Sequence, residues 1–353
     1  MELVPAGLLH ALADAGLYGV TAPREVGGLG LDFAGLCAVT EELAGGCLAA
    51  TFVWIQHAGL LRRLASGDAP AAVRERWLSP AARGELRGGV ALAGLQPGPP
   101  QLWASPAAGG WSLDGASPWV TGWGLIDVVL VAARGPGDTL VWLIMDAVPQ
   151  PGLMVSRQRL AAVDASSTVR LDFADVHVPG SRVLSQSPFD PAASLDPMSL
   201  RLNGSLALGV AGRCARLIGT PRGGAPGNTP DRAPGNTPER TPGDAPNDGL
   251  AASPRDGLGA ALHDQVTRCR RRLDDALTDP AREAMADARA AASELAVRAT
   301  AALTVHTGSR SVMTDQHPQR LAREALFLLV FGSRPGIRAT LLRRLSPLPA
   351  TLT

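Results

Sequence analysis

The sequence predicts an α+β protein of several domains: a helical N-terminal domain over residues 1–88, a middle β-domain of barrel or sandwich type over 89–185, and a C-terminal helical bundle over 186–353. Three observations carry this. Apolar residues recur at helical spacing up to about residue 88, at a period of two from Gly88 to about Leu184, and at helical spacing again from Pro197. A chain of 353 residues can bury a core large enough for two or three domains.

In the first part, Pro5 to Gly16 is amphipathic, with Leu8, Leu9, Leu12 and Ala15 on one face and Gly16 as a stop. A Gly-rich connection, Thr21 to Asp32, leads to a long helix that Asp32 caps and that carries Leu36, Val39, Leu43 and Ala44 on one face. Helical pattern continues from Thr51 to Leu64, and Pro70 opens another helix running to about Ala82. The β-domain is read from short β-branched and aromatic runs, Val128 to Ala132 and Thr139 to Ile144, separated by the turn Gly135-Pro-Gly-Asp138. Thr168 to Phe173 alternates, and Val176-His-Val178 stops at Pro179.

The bundle is read as helices over 200–218, 258–277, 280–305 and 319–330, with a short fifth over 338–345, an antiparallel arrangement. Between the first two lies a low-complexity insertion, 220–257, holding two copies of an octad, Ala225 to Arg232 and Ala233 to Arg240. With no apolar stripe it cannot repay its ordering entropy, so a disordered linker is expected.

Composition excludes several classes of function. A net charge of +1 gives no reason to expect nucleic acid as a partner. No apolar run reaches about 18 residues, so no membrane span is expected. The N-terminus has no basic region before an apolar stretch, so a cytoplasmic location is expected. Every basic side chain other than His is Arg, which excludes Schiff-base and P-loop chemistry that needs Lys. Cys37, Cys47, Cys214 and Cys269 are far apart and read as buried thiols; Cys37 and Cys47 share a predicted helix, about 15 Å apart in rise. The six histidines show no metal-ligand spacing, so no metal is expected. Arg268, Arg270, Arg271 and Arg272 form a basic cluster, read as a solvated face or a phosphate contact.

A series of motifs occurs in a telling order. Pro23-x-Glu25-x-Gly27-Gly28-x-Gly30-x-Asp32 precedes Glu41-Glu42-Leu43-Ala44, and Gly110-Trp-Ser-Leu-Asp-Gly115 precedes Trp119-Val-Thr-Gly122. Phe173-x-Asp175-Val176-x-Val178-Pro179 follows, and His317-Pro-Gln-Arg-Leu-Ala-Arg-Glu-Ala leads to Phe331-Gly332-Ser333. Together they resemble the acyl-CoA dehydrogenase family from about Gly16 to Leu345, outside the insertion. The resemblance implies a helical domain, a β-domain and a bundle, assembled as a homodimer or homotetramer, with FAD between β-domain and bundle. An acyl-CoA substrate and an electron-accepting flavoprotein partner come with it.

By the same resemblance Trp119, Val120 and Thr121 lie at the isoalloxazine, an indole against the ring and a hydroxyl or amide near its reactive edge. Gly308 keeps half of a Gly-Gly turn that the family places after the third bundle helix. Other features are eroded. Ala93-Gly94-Leu95-Gln96-Pro97 stands where the family has a loop with a carboxylate and a hydroxyl, and the Arg-x-x-Phe-Gly element is absent. The catalytic Glu of the C-terminal turn aligns with Gly332 without a gap, or with Phe331 if Gly332 matches the family's Gly. Its alternative position, before Arg201, holds Leu200. Glu324 and His317 are the remaining weak candidates for proton transfer.

Three functions are therefore weighed. The first is an FAD oxidoreductase acting on the CH–CH bond of an acyl thioester, altered by loss of the base. The second is a reduced-flavin monooxygenase of the same fold with His317 or His57 as proton donor. The third is a non-catalytic scaffold or subunit for an active relative.

Overall fold

The computed structural model describes residues 3–191, 196–220, 257–279 and 281–346. Apart from its two end residues, the insertion at 220–257 lies outside the described residues. Four N-terminal helices come first: α1 (Ala6–Asp14), α2 (Phe33–Gly46), α3 (Leu48–Ala65) and α4 (Ala71–Ala82). Asp32 caps α2 as its chemistry demands, its Oδ1 accepting from the Gly35 N–H at 2.8 Å. One prediction needs correcting: Cys47 is not inside a helix with Cys37 but forms the extended junction between α2 and α3. All four cysteines are free thiols. Helix α3 is buried on nearly every side, because it lies between the other helices and the sheet.

The sheet contains β1 (Gly88–Ala91), β2 (Leu102–Ala107), β3 (Gly110–Val120), β4 (Val128–Gly135), β5 (Thr139–Asp146), β6 (Leu153–Arg157), β7 (Val169–Pro179) and β8 (Val183–Pro188). Its order is β6-β7-β3-β2-β4-β5-β8, with β1 paired in parallel to β4. Every residue of β4 is buried, which explains its continuous apolar run. The two runs expected at 168–173 and 176–178 are one strand, β7, interrupted by Asp175 at φ 56°. Strands β2, β3 and β6 carry little of the periodic signal that marks β4 and β5; Gly110, Gly115 and Pro118 dilute it in β3.

The bundle contains α5 (Pro197–Gly219), α6 (Leu258–Asp275), α7 (Arg282–Thr307), α8 (His317–Val330) and α9 (Pro335–Leu345). Helix α5 begins three residues earlier than its apolar pattern implied, because Asp196 caps it by accepting from the Met198 N–H at 3.1 Å. It lies directly on α2: a Cβ on Gly209 would stand 2.3 Å from the Glu41 carbonyl oxygen.

A buried ion network locks this contact. Glu41 accepts from Arg270 at 2.9 and 2.7 Å, and Arg201 donates to Asp274 and to the Ser205 hydroxyl, each at 2.6 Å. Arg272 pairs with Asp287. Two members of the basic cluster are thus paired with carboxylates, Arg270 with Glu41 of α2 and Arg272 with Asp287 of α7, while remaining partly exposed. Among the described residues no helix is long and apolar enough to cross a membrane, and no His, Cys, Asp and Glu side chains gather into a metal site.

Candidate functional site

Trp119 owes its position to a bulge. Ser117 pairs with Leu171 and Val120 with Val169, so β3 spends an extra residue against β7 and re-aims its side chains. Trp119 is left 60% exposed, while Val120 is fully buried. Beyond the strand, the buried Thr121 hydroxyl meets that of Thr168 at 3.2 Å, and Thr168 meets that of Ser166 at 3.0 Å. The Ser166 and Ser167 carbonyls accept from the Gly122 and Trp123 N–H groups at 2.9 and 3.1 Å. Val163 and Ser167, on either side of this short turn, have φ of 53° and 51°. Such a conformation is costly for a β-branched residue and persists only where surrounding contacts enforce it.

The second candidate segment belongs to the bundle. Helix α8 stops at Val330, Phe331 is extended, and Gly332 turns the chain at φ 60°. A Cβ on Gly332 would be strained and would meet the Asn203 amide nitrogen at 2.7 Å, so only glycine suits this turn. Phe331 packs against Phe52 of α3 at 4.8 Å and against Phe327 at 5.4 Å, and Phe52 meets Phe327 at 5.2 Å. Three of the six phenylalanines in the chain converge here.

Arginines secure the turn. Arg289, 1% exposed, donates to the Leu328 and Phe331 carbonyls at 3.3 Å each, which places a cation at the carbonyl end of α8. Burial pulls its pKa down to about 10. Arg334 donates to the side-chain oxygen of Gln96 at 3.0 Å and so joins the turn to the β-domain. The Gln96 carbonyl accepts from Arg134 at 3.2 Å, so two guanidinium groups hold this residue. Farther along α8, Arg323 donates to the Ala161 carbonyl at 3.1 Å. Among the described residues, no hydrogen bond or ion pair of the segment 331–334 involves a carboxylate.

The sequence-derived candidates part company on this frame. Trp119, Val120 and Thr121 end one strand, and Phe331 and Gly332 form one turn. His317 and Gly308 are exposed near the opposite end of α8, roughly 20 Å from that turn by helical rise. Glu324 lies on the same side of α8 as Phe331 but about 10 Å along it. Its carboxylate accepts from Arg320 at 2.8 Å through one oxygen, and the other is buried without a partner. Burial raises its pKa to about 7 against the pull of Arg320.

His57 is fully engaged as structure: Nε2 donates to the Ala81 carbonyl and Nδ1 accepts from the Gly88 N–H, both at 3.0 Å. Burial pulls its pKa down to about 4, so it is neutral and has no free nitrogen for proton transfer. Sequence reasoning missed Arg289, Arg334 and the paired grip on Gln96. A lone Arg before Pro335 carries no periodic signal, and its partner is 238 positions away.

FAD, the cofactor implied by the sequence motifs, meets a mixed fit. The bulge offers an unpacked indole, and the seam between turn and β-domain is cationic. Ser333 Oγ and Arg334 Nε are buried there without hydrogen-bond partners. The Thr121 hydroxyl, by contrast, is engaged with Thr168. Trp119, the Thr121 backbone, Ser333 and Arg334 are the residues able to hold a flavin dinucleotide.

Residues 2–85 match the family model of the acyl-CoA dehydrogenase N-terminal domain. The chain is 27% identical to the benzylmalonyl-CoA dehydrogenase of Aromatoleum aromaticum over 219 residues, covering 59% of this chain and 57% of that protein. It is 24% identical to the mitochondrial short-chain specific acyl-CoA dehydrogenase of Rattus norvegicus over 220 residues, covering 60% of this chain and 53% of that protein. The chain thus spans little more than half the length of these curated relatives. Its fold matches that of butyryl-CoA dehydrogenase from Megasphaera elsdenii with a TM-score of 0.76 at 17% identity, over 97% of this chain and 89% of that one. Residues 2–85 are thus similar to the acyl-CoA dehydrogenase N-terminal domain, and the three-part architecture is the fold of butyryl-CoA dehydrogenase.

Proposed function

We propose that the protein is an FAD-dependent oxidoreductase acting on the CH–CH bond of an acyl-CoA, with its proton-transfer step altered. The observation that carries this is the pair of walls: an exposed Trp119 and a buried Thr121 at the end of β3, and a Gly332 turn at the end of α8. When bound, FAD supplies a two-electron acceptor for hydride from the substrate β-carbon. The chain's own part is to hold the thioester between these walls and exclude water. Gly332 has a left-handed backbone at φ 60°, which favours the alignment in which Phe331 takes the position of the family's base over the one in which Gly332 does.

A phenyl ring accepts no proton. Loss of a general base lowers the rate by roughly 10²–10⁴. Glu324 is the carboxylate nearest in sequence, but its distance along α8 and its bond to Arg320 favour a structural role. The monooxygenase reading loses its proposed donors, because His57 is bonded through both nitrogens and His317 is at the far end of α8. A homodimer or homotetramer, in which exposed Gly308 meets the flavin of a second copy, belongs to the same reading. An electron-accepting flavoprotein and a cytoplasmic location complete the reading.

The test is reconstitution. Purified protein mixed with FAD is expected to retain a flavin spectrum after gel filtration and to bleach slowly, without oxygen, on adding a short-chain acyl-CoA. A folded protein that retains no FAD would sink the reading and leave a non-catalytic subunit.

A further inference from the structure

A left-handed glycine just past a helix ordinarily caps it, its own N–H turning back to the carbonyl four residues earlier. At the end of α8 that glycine is Gly332, at φ 60°, and the carbonyl is that of Leu328. The bond is not made. Among the described residues the Gly332 N–H has no backbone partner, and Phe331 is extended at φ −64° and ψ 127° rather than helical. The Phe331 N–H is the last to follow the helical pattern, donating to the Phe327 carbonyl at 2.9 Å.

The Leu328 carbonyl is occupied from α7 instead. Ser293 Oγ donates to it at 2.8 Å and Arg289 Nη2 at 3.3 Å, which uses both lone pairs of the oxygen. Arg289 and Ser293 are four residues apart on α7 and share one face of it, and Arg289 also donates to the Ser293 hydroxyl. The same Nη2 reaches the Phe331 carbonyl at 3.3 Å, across the point where α8 ends. Arg289 is 1% exposed, its Nε is without a partner, and its hydrogen bonds go to a hydroxyl and to carbonyls. A guanidinium buried in this way is costly, and its counter-charge here is the carbonyl end of α8. Such an arrangement persists where it holds a conformation that the chain does not take unaided.

We infer that Arg289 and Ser293 are positioning residues, which keep the turn after α8 out of the ordinary glycine cap and so fix the direction of the residue before Gly332. With the Leu328 carbonyl vacated, the Gly332 N–H takes it and Phe331 becomes helical, a swing in ψ of roughly 170°. The consequence for chemistry rests on the flavin and thioester reading, in which Phe331 takes the position of the family's base. A side chain at 331 then meets the substrate only while Arg289 and Ser293 hold the turn.

Hydrogen exchange at single-amide resolution tests the inference without any cofactor. In wild type the Gly332 amide is expected to exchange roughly 10-fold faster than in Arg289→Met or Ser293→Ala, where it gains the Leu328 carbonyl. Loss of packing alone would do the opposite, because it speeds exchange across the turn. Ser293→Ala is the milder change and decides the matter if Arg289→Met does not fold. A second arm uses FAD-reconstituted protein and anaerobic flavin bleaching by butyryl-CoA. Arg289→Met added to Phe331→Glu is expected to bleach roughly 10²-fold more slowly than Phe331→Glu alone, the loss that a misplacement of about 1 Å brings. Arg289→Lys, which keeps the charge but not the planar fork, should recover only part of that loss.

A Gly332 amide that exchanges equally in wild type and in both variants overturns the inference and leaves the flavin reading standing. A double variant that bleaches as fast as Phe331→Glu overturns it as well. Protein that retains no FAD sinks the flavin reading, and the exchange measurement still decides whether the two residues hold the turn.

Discussion

The end of β3 and the turn after α8 answer to the sequence motifs in different degrees. On the sheet side, β3 keeps its bulge, its exposed indole at 119 and its hydroxyl cluster at 121, 166 and 168. On the bundle side, Gly332 turns the chain at φ 60° and no acid stands in the segment 331–333. Phe331 precedes that glycine, and Arg289 and Arg334 beside it have no acidic partner among the described residues. The difference teaches that a turn's geometry and its reactive group are separable. The Gly332 conformation and the Arg289 bonds to backbone carbonyls do not depend on which side chain precedes the glycine.

Restoring the acid is the largest way to break this contrast. In FAD-reconstituted protein, Phe331→Glu is expected to raise the rate of anaerobic flavin bleaching by a short-chain acyl-CoA by roughly 10²–10⁴. Stopped-flow absorbance would measure it, and an unchanged rate would mean the turn does not face the substrate.

The second test concerns pH. The folded-state pKa of His57, about 4, lies below its ordinary 6.5, so the unfolded chain binds the proton first as pH falls. Stability from this group is complete above pH 6.5 and is lost as pH drops towards 4, by on the order of 3 kcal/mol. Glu324 has the opposite sign. With its pKa raised from 4.5 to about 7, its protonated form suits the fold, and its contribution declines as pH rises through that interval. Urea unfolding of Glu324→Gln between pH 4 and 7.5 should isolate the His57 slope. A flat profile would contradict the assignment of His57 as a buried neutral tie.

Phe331→Ala probes the aromatic cluster, and loss of its contacts with Phe52 and Phe327 should cost about 2 kcal/mol in urea unfolding. Thr121→Val is the mildest change. It removes one hydroxyl contact while Thr168 keeps Ser166, so about 1 kcal/mol of stability is at stake. On the flavin reading it also shifts the absorbance of bound FAD. A spectrum and affinity identical to wild type would leave the sheet wall without its assigned part.

Much of the architecture was legible because it depends on periodic patterns. Val128 to Ala132 announced β4, Leu8, Leu9 and Leu12 announced α1, and Asp32 announced the start of α2. Strand β3 was legible only as a motif, since Gly110, Gly115 and Pro118 dilute the alternation that marks β4. Helix α5 was placed late because its cap, Asp196, lies outside the apolar pattern.

The sequence by itself determined the succession of helices, strands and helices, the absence of lysine and the presence of Phe-Gly-Ser, with no acid, at 331–333. Local preferences and side-chain identity are sufficient for these. Only the tertiary structure decided that His57 is a neutral tie between α4 and β1, that Glu324 is buried, and that Arg334 reaches across to Gln96 with no counter-ion among the described residues. Those outcomes depend on burial and on partners far apart in the chain, and the electrostatics of a side chain are set by what folding brings beside it.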